Sequence, residues 1–470
     1  MPKPKTKLNK YISYFLEATS SSEKEFTKGS INKAIFMLSI PVIIEMVGEG
    51  LFAIFDMYFV AKLGKNALAA VGLTESIMFI VYSIAIGFSM AASAIISRRI
   101  GEKNKTDASN ATLQAIILAI IVGLATGLLG IYYAKDILEL MGAEPDVIIH
   151  GISYTKWMFG SNIIIMLLFI INGAFRGAGN SAIAMRVLLI ANAINIILDP
   201  LFIFGLGPIP ALGIKGAAIA TSTGRGIAVL IQVYYLFISK NSSLHLVFKE
   251  LKIQLNVIFN IIKISLGGIG QFLVESASWL VLYRFISEIG TNAVAGYTIG
   301  FRIIGFTILP AWGLAQAAAA LVGQNLGAKQ PERAEKSVWR SSYYNAIYLL
   351  LISILFYAIA KYIISMVFTN DADVLPMAVK SLQIICLGYV FFAFGMVVSQ
   401  AFNGAGDTLT PTAINIICFW VIQIPMVFWF TNGLDLGFEG ILYCIAICHS
   451  IHAVISVYLF KRGKWKLRKV

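Results

Sequence analysis

Charge is scarce in this chain. Only 13% of its 470 residues are Asp, Glu, Lys or Arg, whereas 58% are hydrophobic and the mean hydropathy is +0.80. A soluble domain of this length would carry about twice that charged fraction. The charges also cluster between apolar runs, each of which is long enough to cross a bilayer. The scarcity therefore excludes a soluble globular protein and indicates an all-α integral membrane protein with many spans.

Motifs for soluble catalysis and redox chemistry are also missing. The chain has no GxxxxGK[ST] phosphate loop and no HExxH zinc motif. We therefore expect no ATP-driven pump, no enzyme and no bound cofactor. Only four cysteines occur, Cys386, Cys418, Cys444 and Cys448, and all of them fall within apolar runs. They are predicted to be small core residues rather than a disulfide framework.

Acidic residues are outnumbered, since 24 Asp and Glu face 37 Lys and Arg for a net charge of +13. Most of the basic residues lie near the two ends and in the loops after even-numbered apolar runs. This pattern follows the positive-inside rule and does not indicate a nucleic-acid partner. We expect a multi-pass protein of the cell (inner or plasma) membrane, surrounded by lipid, with both termini in the cytoplasm. The twelve predicted spans are residues 34–62, 67–97, 110–133, 150–172, 183–206, 213–239, 256–287, 292–322, 338–363, 376–402, 410–431 and 438–460.

The chain also repeats itself. Shifts of 226 or 227 residues bring three motifs of the first half onto the second half, namely 64–69 onto 290–295, 101–103 onto 327–329 and 175–181 onto 402–408. Both copies begin on the same side of the membrane, so the repeat is parallel. It predicts two pseudo-symmetric six-helix bundles that face each other across a central cleft and rock to give alternating access.

These patterns divide the chain into five predicted parts. The two bundles are joined by the longest internal loop and flanked by polar ends. The parts are a cytoplasmic N-terminal tail (1–33), an N-lobe (34–239), a cytoplasmic linker (240–255), a C-lobe (256–460) and a basic cytoplasmic tail (461–470).

Three carboxylates lie on one stripe of the first span. Glu45, Glu49 and Asp56 fall within roughly 40° of one another on a helical wheel. Each would cost about 2.5–3.5 kcal/mol at a bilayer centre if it faced lipid, so the stripe must face the bundle interior or water. Glu45 and Glu49 could line the cleft or pair with Lys or Arg, as coupling or substrate residues.

A second polar cluster occupies span 5. Asn192, Asn195 and Asp199 lie within roughly 60° of one another on the wheel, and Pro200 follows directly. Asp56 and Asp199 both fall in the outer halves of inside-to-outside spans, so they could meet. Carboxylate and amide oxygens suit Na⁺, or a proton held on a buried carboxyl group. The alternative is a structural hydrogen-bond cluster that ties spans 1 and 5 together.

Glu275 forms a third candidate site near the centre of span 7. Gln271 lies on the same helix face. The lone carboxyl suits a coupling role or a counter-charge for a cationic substrate. The alternative is a salt bridge with an intramembrane arginine such as Arg225 or Arg302. Aromatic and Met residues of spans 7, 8 and 10 are mostly expected in the core, and some of them could line an adaptable apolar pocket; they are Trp279, Trp312, Tyr389, Phe391, Phe392, Phe394 and Met396.

Several short motifs, in order and in two copies, resemble the multidrug and toxic compound extrusion (MATE) transporters. The motifs are Phe55-Asp56, Asn-Ala-Leu-Ala-Ala-Val-Gly at 66–72, Phe-Arg-Gly-Ala-Gly-Asn at 175–180, the stretch at 195–205 that contains Asn195, Asp199 and Pro200, and Val-Gly-Gln-Asn-Leu-Gly-Ala at 322–328. The resemblance covers nearly the whole chain.

The resemblance implies two six-helix bundles in a V shape. It also implies export of cationic or amphipathic organic compounds, driven by inward Na⁺ or H⁺. By motif match, Asp56, Asn195 and Asp199 would form the N-lobe cation site, the one place where a metal ion, Na⁺, is expected. Glu275 matches the span 7 glutamate of the norfloxacin-exporter branch, whereas the Asp56–Asp199 pair looks more like the DNA-damage-inducible branch.

The sequence therefore predicts a monomeric secondary antiporter that exports small organic cations. Three alternatives stay open. A lipid-linked oligosaccharide flippase of a related fold would need a cationic cleft for pyrophosphate, whereas the prominent intramembrane charges here are acidic. A membrane-embedded enzyme would need a ligand or nucleophile constellation. A passive channel is disfavoured by the repeat and the midplane acids.

Overall fold

The computed structural model describes residues 7–20, 26–239, 244–246, 252–468 and 470. Within these ranges the chain is built of helices, and no strand is formed. Most of the predicted linker (240–255) and parts of the predicted N-terminal tail lie outside the described residues. A helix not expected from the sequence, Lys7–Thr19, lies in that tail.

The described part of the first half contains nine helices. They are α1 (Lys7–Thr19), α2 (Ile31–Ala61), α3 (Lys65–Gly101), α4 (Lys105–Tyr132), α5 (Ala134–Leu140), α6 (Pro145–Gly160), α7 (Asn162–Gly177), α8 (Ser181–Phe204) and α9 (Ile214–Phe237). Capping side chains fix some of the starts, since Ser30 accepts a hydrogen bond from the Lys33 backbone N–H at the start of α2.

The second half repeats this plan with α10 to α17 and three short helical segments of other types. The α-helices are α10 (Leu255–Ile289), α11 (Thr291–Gly327), α12 (Pro331–Val367), α13 (Val374–Cys386), α14 (Tyr389–Gly404), α15 (Leu409–Asn415), α16 (Gln423–Phe428) and α17 (Gly437–Lys461). Two π-helical segments, Ile416–Ile422 and Trp429–Gly433, flank α16, and a 3₁₀ turn covers Lys464–Leu467.

All twelve predicted spans are helical. In the described part of the chain, nine helices are long and apolar enough to cross a membrane, and two bent pairs would raise the number to eleven. Helix α9, which carries Lys215 and Arg225 within 24 residues, makes the twelfth. The prediction of an all-α membrane protein with two six-span halves is confirmed.

Spans 4 and 10 are bent, although the sequence suggested continuous helices. The first bends by 42° between α6 and α7, at Ser161, and the second by 57° between α13 and α14, next to Gly388. These positions are 227 residues apart, so the bend belongs to the repeated design. The turns that begin spans 2 and 8 are also equivalent, because Gly64 and Gly290 have φ values of +98° and +142° that other residues rarely adopt.

The two halves meet most closely where α3 crosses α11. A Cβ atom added to Gly101 would lie 2.0 Å from the carbonyl oxygen of Gln324, and one added to Gly327 would lie 2.1 Å from that of Arg98. Each pair is the 226-residue repeat of the other, so the crossing is pseudo-symmetric. The Gln324 amide also donates to the Gly177 carbonyl at 3.0 Å. No side chain fits between the helices at these glycines.

This crossing lies at the end of the bundle that also holds the first and last described segments, which we call the terminal face. Trp465 is fully buried there and stacks on Phe460 with the ring centroids 4.6 Å apart. Arg468 pairs with Asp407 of the second half at 3.0 Å, and its carbonyl oxygen accepts a hydrogen bond from Arg98 of the first half. The 461–470 segment therefore contacts both halves.

Candidate functional site

The N-lobe cluster is built on two successive turns of α8. Asn195 and Asp199 are four residues apart, and the Asn195 amide donates to Asp199 Oδ1 at 3.3 Å. The same amide donates to the hydroxyl oxygen of Thr221, on α9, at 3.0 Å. Both Asn195 and Asp199 are almost completely buried. We call Asn195, Asp199 and Thr221 the α8–α9 cluster; Thr221 was not assigned to a site from the sequence.

Two oxygens of this cluster have no partner among the described residues. Asp199 Oδ2 and Asn195 Oδ1 are buried and accept no hydrogen bond. A buried oxygen without a donor is costly unless something else satisfies it. A carboxylate oxygen and an amide oxygen on one helix face are suitable ligands for a hard cation such as Na⁺, and the carboxylate could also hold a proton.

Helix α2 packs along α8 and brings Asp56 toward the cluster. A Cβ atom on Gly48 would lie 2.7 Å from the Leu189 side chain and 3.8 Å from Asn192 Nδ2, so Asn192 lies at the contact between the two helices. Asp56 is half-buried and close enough to Asp199 for their charges to interact. Within the described ranges Asp56 makes no hydrogen bond or ion pair.

Glu45 has a dedicated partner. It is fully buried and forms an ion pair with Arg176, at the end of α7. From the sequence, Arg176 was placed in the loop after span 4, but α7 continues through it. Of the two expectations for Glu45, lining the cleft or pairing with a basic residue, the structure shows both, because the pair also forms part of a cavity wall.

A cavity of about 420 Å³ lies between the two halves, and we call it the central cavity. Its walls carry two carboxylates and two guanidinium groups from the first half and aromatic and amide side chains from the second. Its lining includes Glu45, Glu49, Ser89, Asn172, Arg176, Arg225, Phe272, Trp312 and Gln316. Glu49 is half-buried on this wall, as expected for a cleft residue.

Arg225 is a site residue that the sequence placed in the N-lobe but considered only as a possible ion-pair partner of Glu275. It projects from α9 into the central cavity, donates to the hydroxyl of Tyr82 at 3.0 Å, and lies 5.9 Å from the ring centre of Phe52. Its charge interacts with those of Glu49 and Glu75. The available signal was an arginine flanked by two glycines, at 224 and 226, inside an apolar span.

Glu275 lies apart from these groups, in a cavity of about 200 Å³ within the second half. We call it the C-lobe cavity. Aromatic rings dominate its walls, and the lining includes Glu275, Trp279, Phe301, Trp312, Tyr389, Phe392, Met396 and His449. In the part of the chain that the structure describes, the Glu275 carboxylate forms no ion pair, so the expected alternative of a bridge to Arg225 or Arg302 is wrong.

Gln271 is not brought into the C-lobe cavity. Its Oε1 accepts a hydrogen bond from Asn403 at 3.2 Å, and its backbone carbonyl accepts one from Asn415 at 3.3 Å. Gln271 therefore belongs to an amide network in the C-lobe core. The C-lobe cavity and the central cavity share Trp312 and Ile308, so the two cavities are neighbours.

Comparisons with known proteins agree with the duplicated architecture. The MatE family model matches twice, over residues 41–201 and 269–429. The chain is 25% identical over 447 residues to the probable multidrug resistance protein YoeA of Bacillus subtilis, covering 94% of this chain and 96% of that protein. It is 26% identical over 436 residues to a protein named FAD transporter of Shewanella oneidensis, covering 92% and 95%.

A solved structure shows the same fold. The crystal structure of MATE in complex with MaL6 superimposes with a TM-score of 0.88 at 26% sequence identity. The similarity covers 94% of this chain and 98% of that chain. It therefore includes both halves.

Proposed function

Because this chain belongs to the MatE family of membrane transporters, we propose that it is a secondary antiporter that exports cationic or amphipathic organic compounds in exchange for Na⁺ or H⁺. The observation that carries the proposal is the α8–α9 cluster. It holds a buried carboxylate and a buried amide whose free oxygens are satisfied by none of the described residues. Gly224, which packs against Asn195, directly precedes Arg225 of the central cavity. A coupling cation needs such a site, separate from the organic cargo.

The C-lobe cavity supports the choice of cargo. Glu275 supplies one carboxylate without a protein partner, and rings such as Trp279, Tyr389 and Phe392 surround the same space. Aromatic faces attract organic cations by about 0.5–2 kcal/mol each, depending on how far the site is desolvated. Met396 adds an adaptable wall that accommodates ligands of different shapes.

The proposed transport step follows from the positions of Asp56 on α2 and Asp199 on α8, two helices that pack against each other. A cation that binds at Asp56 and Asp199 removes the repulsion between two carboxylates on α2 and α8, so the two helices can move closer. The halves then rock about the α3–α11 crossing and open the cavities to the other side. Inward movement of one charge supplies about 2.3 kcal/mol per 100 mV of membrane potential.

The proposal also assigns a direction. The terminal face carries most of the Lys and Arg residues that the positive-inside rule places in the cytoplasm. The two halves approach each other closely at that face, where α3 crosses α11. We therefore infer that this arrangement is closed toward the cytoplasm.

The proposal is tested with the purified chain in proteoliposomes that contain ethidium, a fluorescent organic cation. A Na⁺ gradient and a pH gradient are imposed separately, and ethidium movement is recorded. Acceleration by either gradient supports antiport and identifies the ion. Ethidium movement that responds to neither gradient, in protein shown to be folded, would contradict it.

A second candidate follows from the two arginines of the central cavity. One relative is named FAD transporter, and Arg225 has guanidinium donors that could bind an anionic group. Transport of an organic anion would be shown by uptake of FAD into the same proteoliposomes. FAD uptake in the absence of any ethidium transport would replace the first proposal with the second.

A further inference from the structure

Arg225 occupies a particular place on the acidic stripe of α2. Its guanidinium carbon lies 5.9 Å from the ring centre of Phe52. Phe52 is three residues after Glu49 and four residues before Asp56, so one carboxylate lies about one turn to either side of the ring. Arg225 therefore lies between Glu49, which lines the central cavity, and Asp56, which lies near the α8–α9 cluster.

Arg225 is held loosely for a charged group in a membrane span. Its one hydrogen bond to the described residues goes to the Tyr82 hydroxyl at 3.0 Å, and the Tyr82 ring centre is 5.7 Å away. No carboxylate lies within ion-pair distance among the described residues, although Glu49, Glu75 and Asp56 all interact with its charge. A guanidinium that rests on two aromatic faces can move toward either acid without breaking an ion pair.

Helix α9, which carries Arg225, also packs directly against the α8 part of the α8–α9 cluster. A Cβ atom on Gly224 would lie 2.7 Å from the Ala191 carbonyl oxygen and 3.4 Å from Asn195 Cβ. One turn before Arg225 in α9, Thr221 accepts the hydrogen bond from Asn195. A change at the α8–α9 cluster therefore reaches the backbone next to Arg225.

We propose that Arg225 couples the two binding events by acting as a tethered cation shared between Asp56 and Glu49. This inference rests on the proposed antiport function. When the coupling cation neutralises Asp56, Arg225 is released toward Glu49 and displaces the organic cation. When the organic cation occupies Glu49, Arg225 is driven toward Asp56 and weakens binding of the coupling cation.

Direct repulsion between the two bound cations is weaker than the effect of a guanidinium that moves between the two acids. Glu49 and Asp56 are seven residues apart, which is about 10.5 Å along a helix. Coulomb energies fall inversely with distance, so charges at that separation affect each other less than half as strongly as a guanidinium affects an acid about 4 Å away. A guanidinium that moves between Asp56 and Glu49 carries the effect of a cation bound at one acid to the other acid. Binding of one cation therefore weakens binding of the other.

The test measures linkage rather than transport. The dissociation constant of ethidium is measured on the purified full chain while NaCl replaces KCl at constant ionic strength, and in a second series while the pH is lowered from neutral. In the unmodified protein we expect the coupling ion to weaken ethidium binding by a factor of about 5–150, the range typical of coupled sites.

Arg225→Gln should bind ethidium with an affinity that no longer depends on the coupling ion. Arg225→Lys, which keeps the charge, should restore part of the dependence. The matched control is Arg284→Gln, since Arg284 makes an exposed ion pair with Glu288 at 3.1 Å and lines neither cavity. The control should behave as the unmodified chain.

The outcomes distinguish a failure of the proposed antiport from a failure of the proposed role of Arg225. Ethidium binding that is independent of both Na⁺ and pH in the unmodified chain would overturn the proposed antiport and this inference together. Dependence that persists in Arg225→Gln would overturn the inference alone and assign the antagonism to direct repulsion. If Arg225→Gln does not fold, Glu49→Gln replaces it. That variant removes the other acid and should also lose the dependence, and retention there would equally overturn the inference.

Discussion

The two halves of the molecule share the same helix arrangement but differ in the polar and charged residues that their helices carry. The bends in spans 4 and 10, the turn glycines Gly64 and Gly290 and the crossing glycines Gly101 and Gly327 all recur at the repeat spacing. These positions serve helix packing and the contact between the halves, where both copies have the same task. The repeated features are therefore those that the architecture needs twice.

Most of the charged residues within the spans, by contrast, are not repeated. Of the three acids of α2, Asp56 corresponds at the 226-residue spacing to Leu282 and Glu45 to Gln271, whereas Glu49 corresponds to Glu275. The first half thus concentrates carboxylates, amides and Arg225, whereas the second half surrounds one carboxylate with aromatic rings. The difference suggests a division of work. The first half binds the small cation, and the organic cargo lies across the two neighbouring cavities, between Glu49 of the first half and the aromatic rings and Glu275 of the second.

The largest expected effect comes from removing the charge that is unique to the first half. Asp56→Asn should abolish gradient-driven export while leaving the protein folded, because a neutral amide no longer attracts the coupling cation. The measurement is gradient-driven ethidium efflux from proteoliposomes, with Glu288→Gln as an exposed carboxylate control. Normal export by Asp56→Asn would contradict the assignment of the ion site to the first half.

The next effect concerns stability. Glu45→Gln leaves Arg176 with a buried charge and no partner, and the loss of one member of a buried pair typically costs about 3–5 kcal/mol. Gln271 occupies the equivalent position in the second half without such a pair. The unfolding temperature measured in detergent should be markedly lower for Glu45→Gln than for the unmodified protein. An unchanged unfolding temperature would indicate that the Arg176 charge is satisfied in another way.

The pseudo-symmetric crossing provides a comparison in which the halves should behave alike. Gly101→Ala and Gly327→Ala each force a methyl group against a backbone carbonyl, and overpacking of this kind costs about 1–3 kcal/mol. Gly72→Ala is the matched control, because a Cβ atom there meets nothing within 4 Å. Cross-linking between two cysteines introduced at the terminal face, one in each half, should decrease in both variants. A decrease in one variant alone would show that the crossing is not symmetric.

A smaller effect is expected in the C-lobe cavity. Glu275→Gln removes the charge that faces a bound organic cation but leaves the aromatic walls in place. Ethidium should bind about tenfold more weakly, which corresponds to roughly 1.4 kcal/mol. Its dependence on the coupling ion should persist. Loss of that dependence would mean that the second half also takes part in ion coupling.

The smallest effect is at the terminal face. Lys466 donates to Glu335 at 2.5 Å and lowers the pKa of that carboxyl group, whereas Ser109 takes the equivalent position in the first half. A lowered folded-state pKa stabilises the protein above the ordinary Glu pKa of about 4.3, and this contribution is lost as the pH falls through the folded value. Lys466→Ala should therefore lower the unfolding temperature slightly at neutral pH and not at strongly acidic pH. An equal decrease at both would assign the effect to packing.

Much of the fold could be predicted because it depends on local patterns. Apolar runs define the helices, and the repeat spacing defines the two halves. The stripe of Glu45, Glu49 and Asp56 and the Asn195–Asp199 pair follow from helical periodicity. The sequence also indicated correctly that Trp279, Trp312, Tyr389, Phe392 and Met396 could share a pocket.

The features that were missed depend on contacts between distant segments. Arg176 looked like a loop residue because it follows an apolar run, and only the packing of α7 against α2 makes it the partner of Glu45. Arg225 was considered only as a partner of Glu275, although Tyr82 and Phe52 hold it in the other half. Periodicity within one helix cannot show which neighbouring helix a charged group will face.

The most direct test of the division of work compares one variant from each half in a single assay. Ethidium efflux from proteoliposomes is measured for Asp199→Asn and Glu275→Gln, with the Na⁺ and pH gradients imposed separately. The account predicts that Asp199→Asn loses the response to the gradient, whereas Glu275→Gln keeps the response and needs more ethidium to reach the same rate. A gradient response that survives in Asp199→Asn and disappears in Glu275→Gln would contradict it.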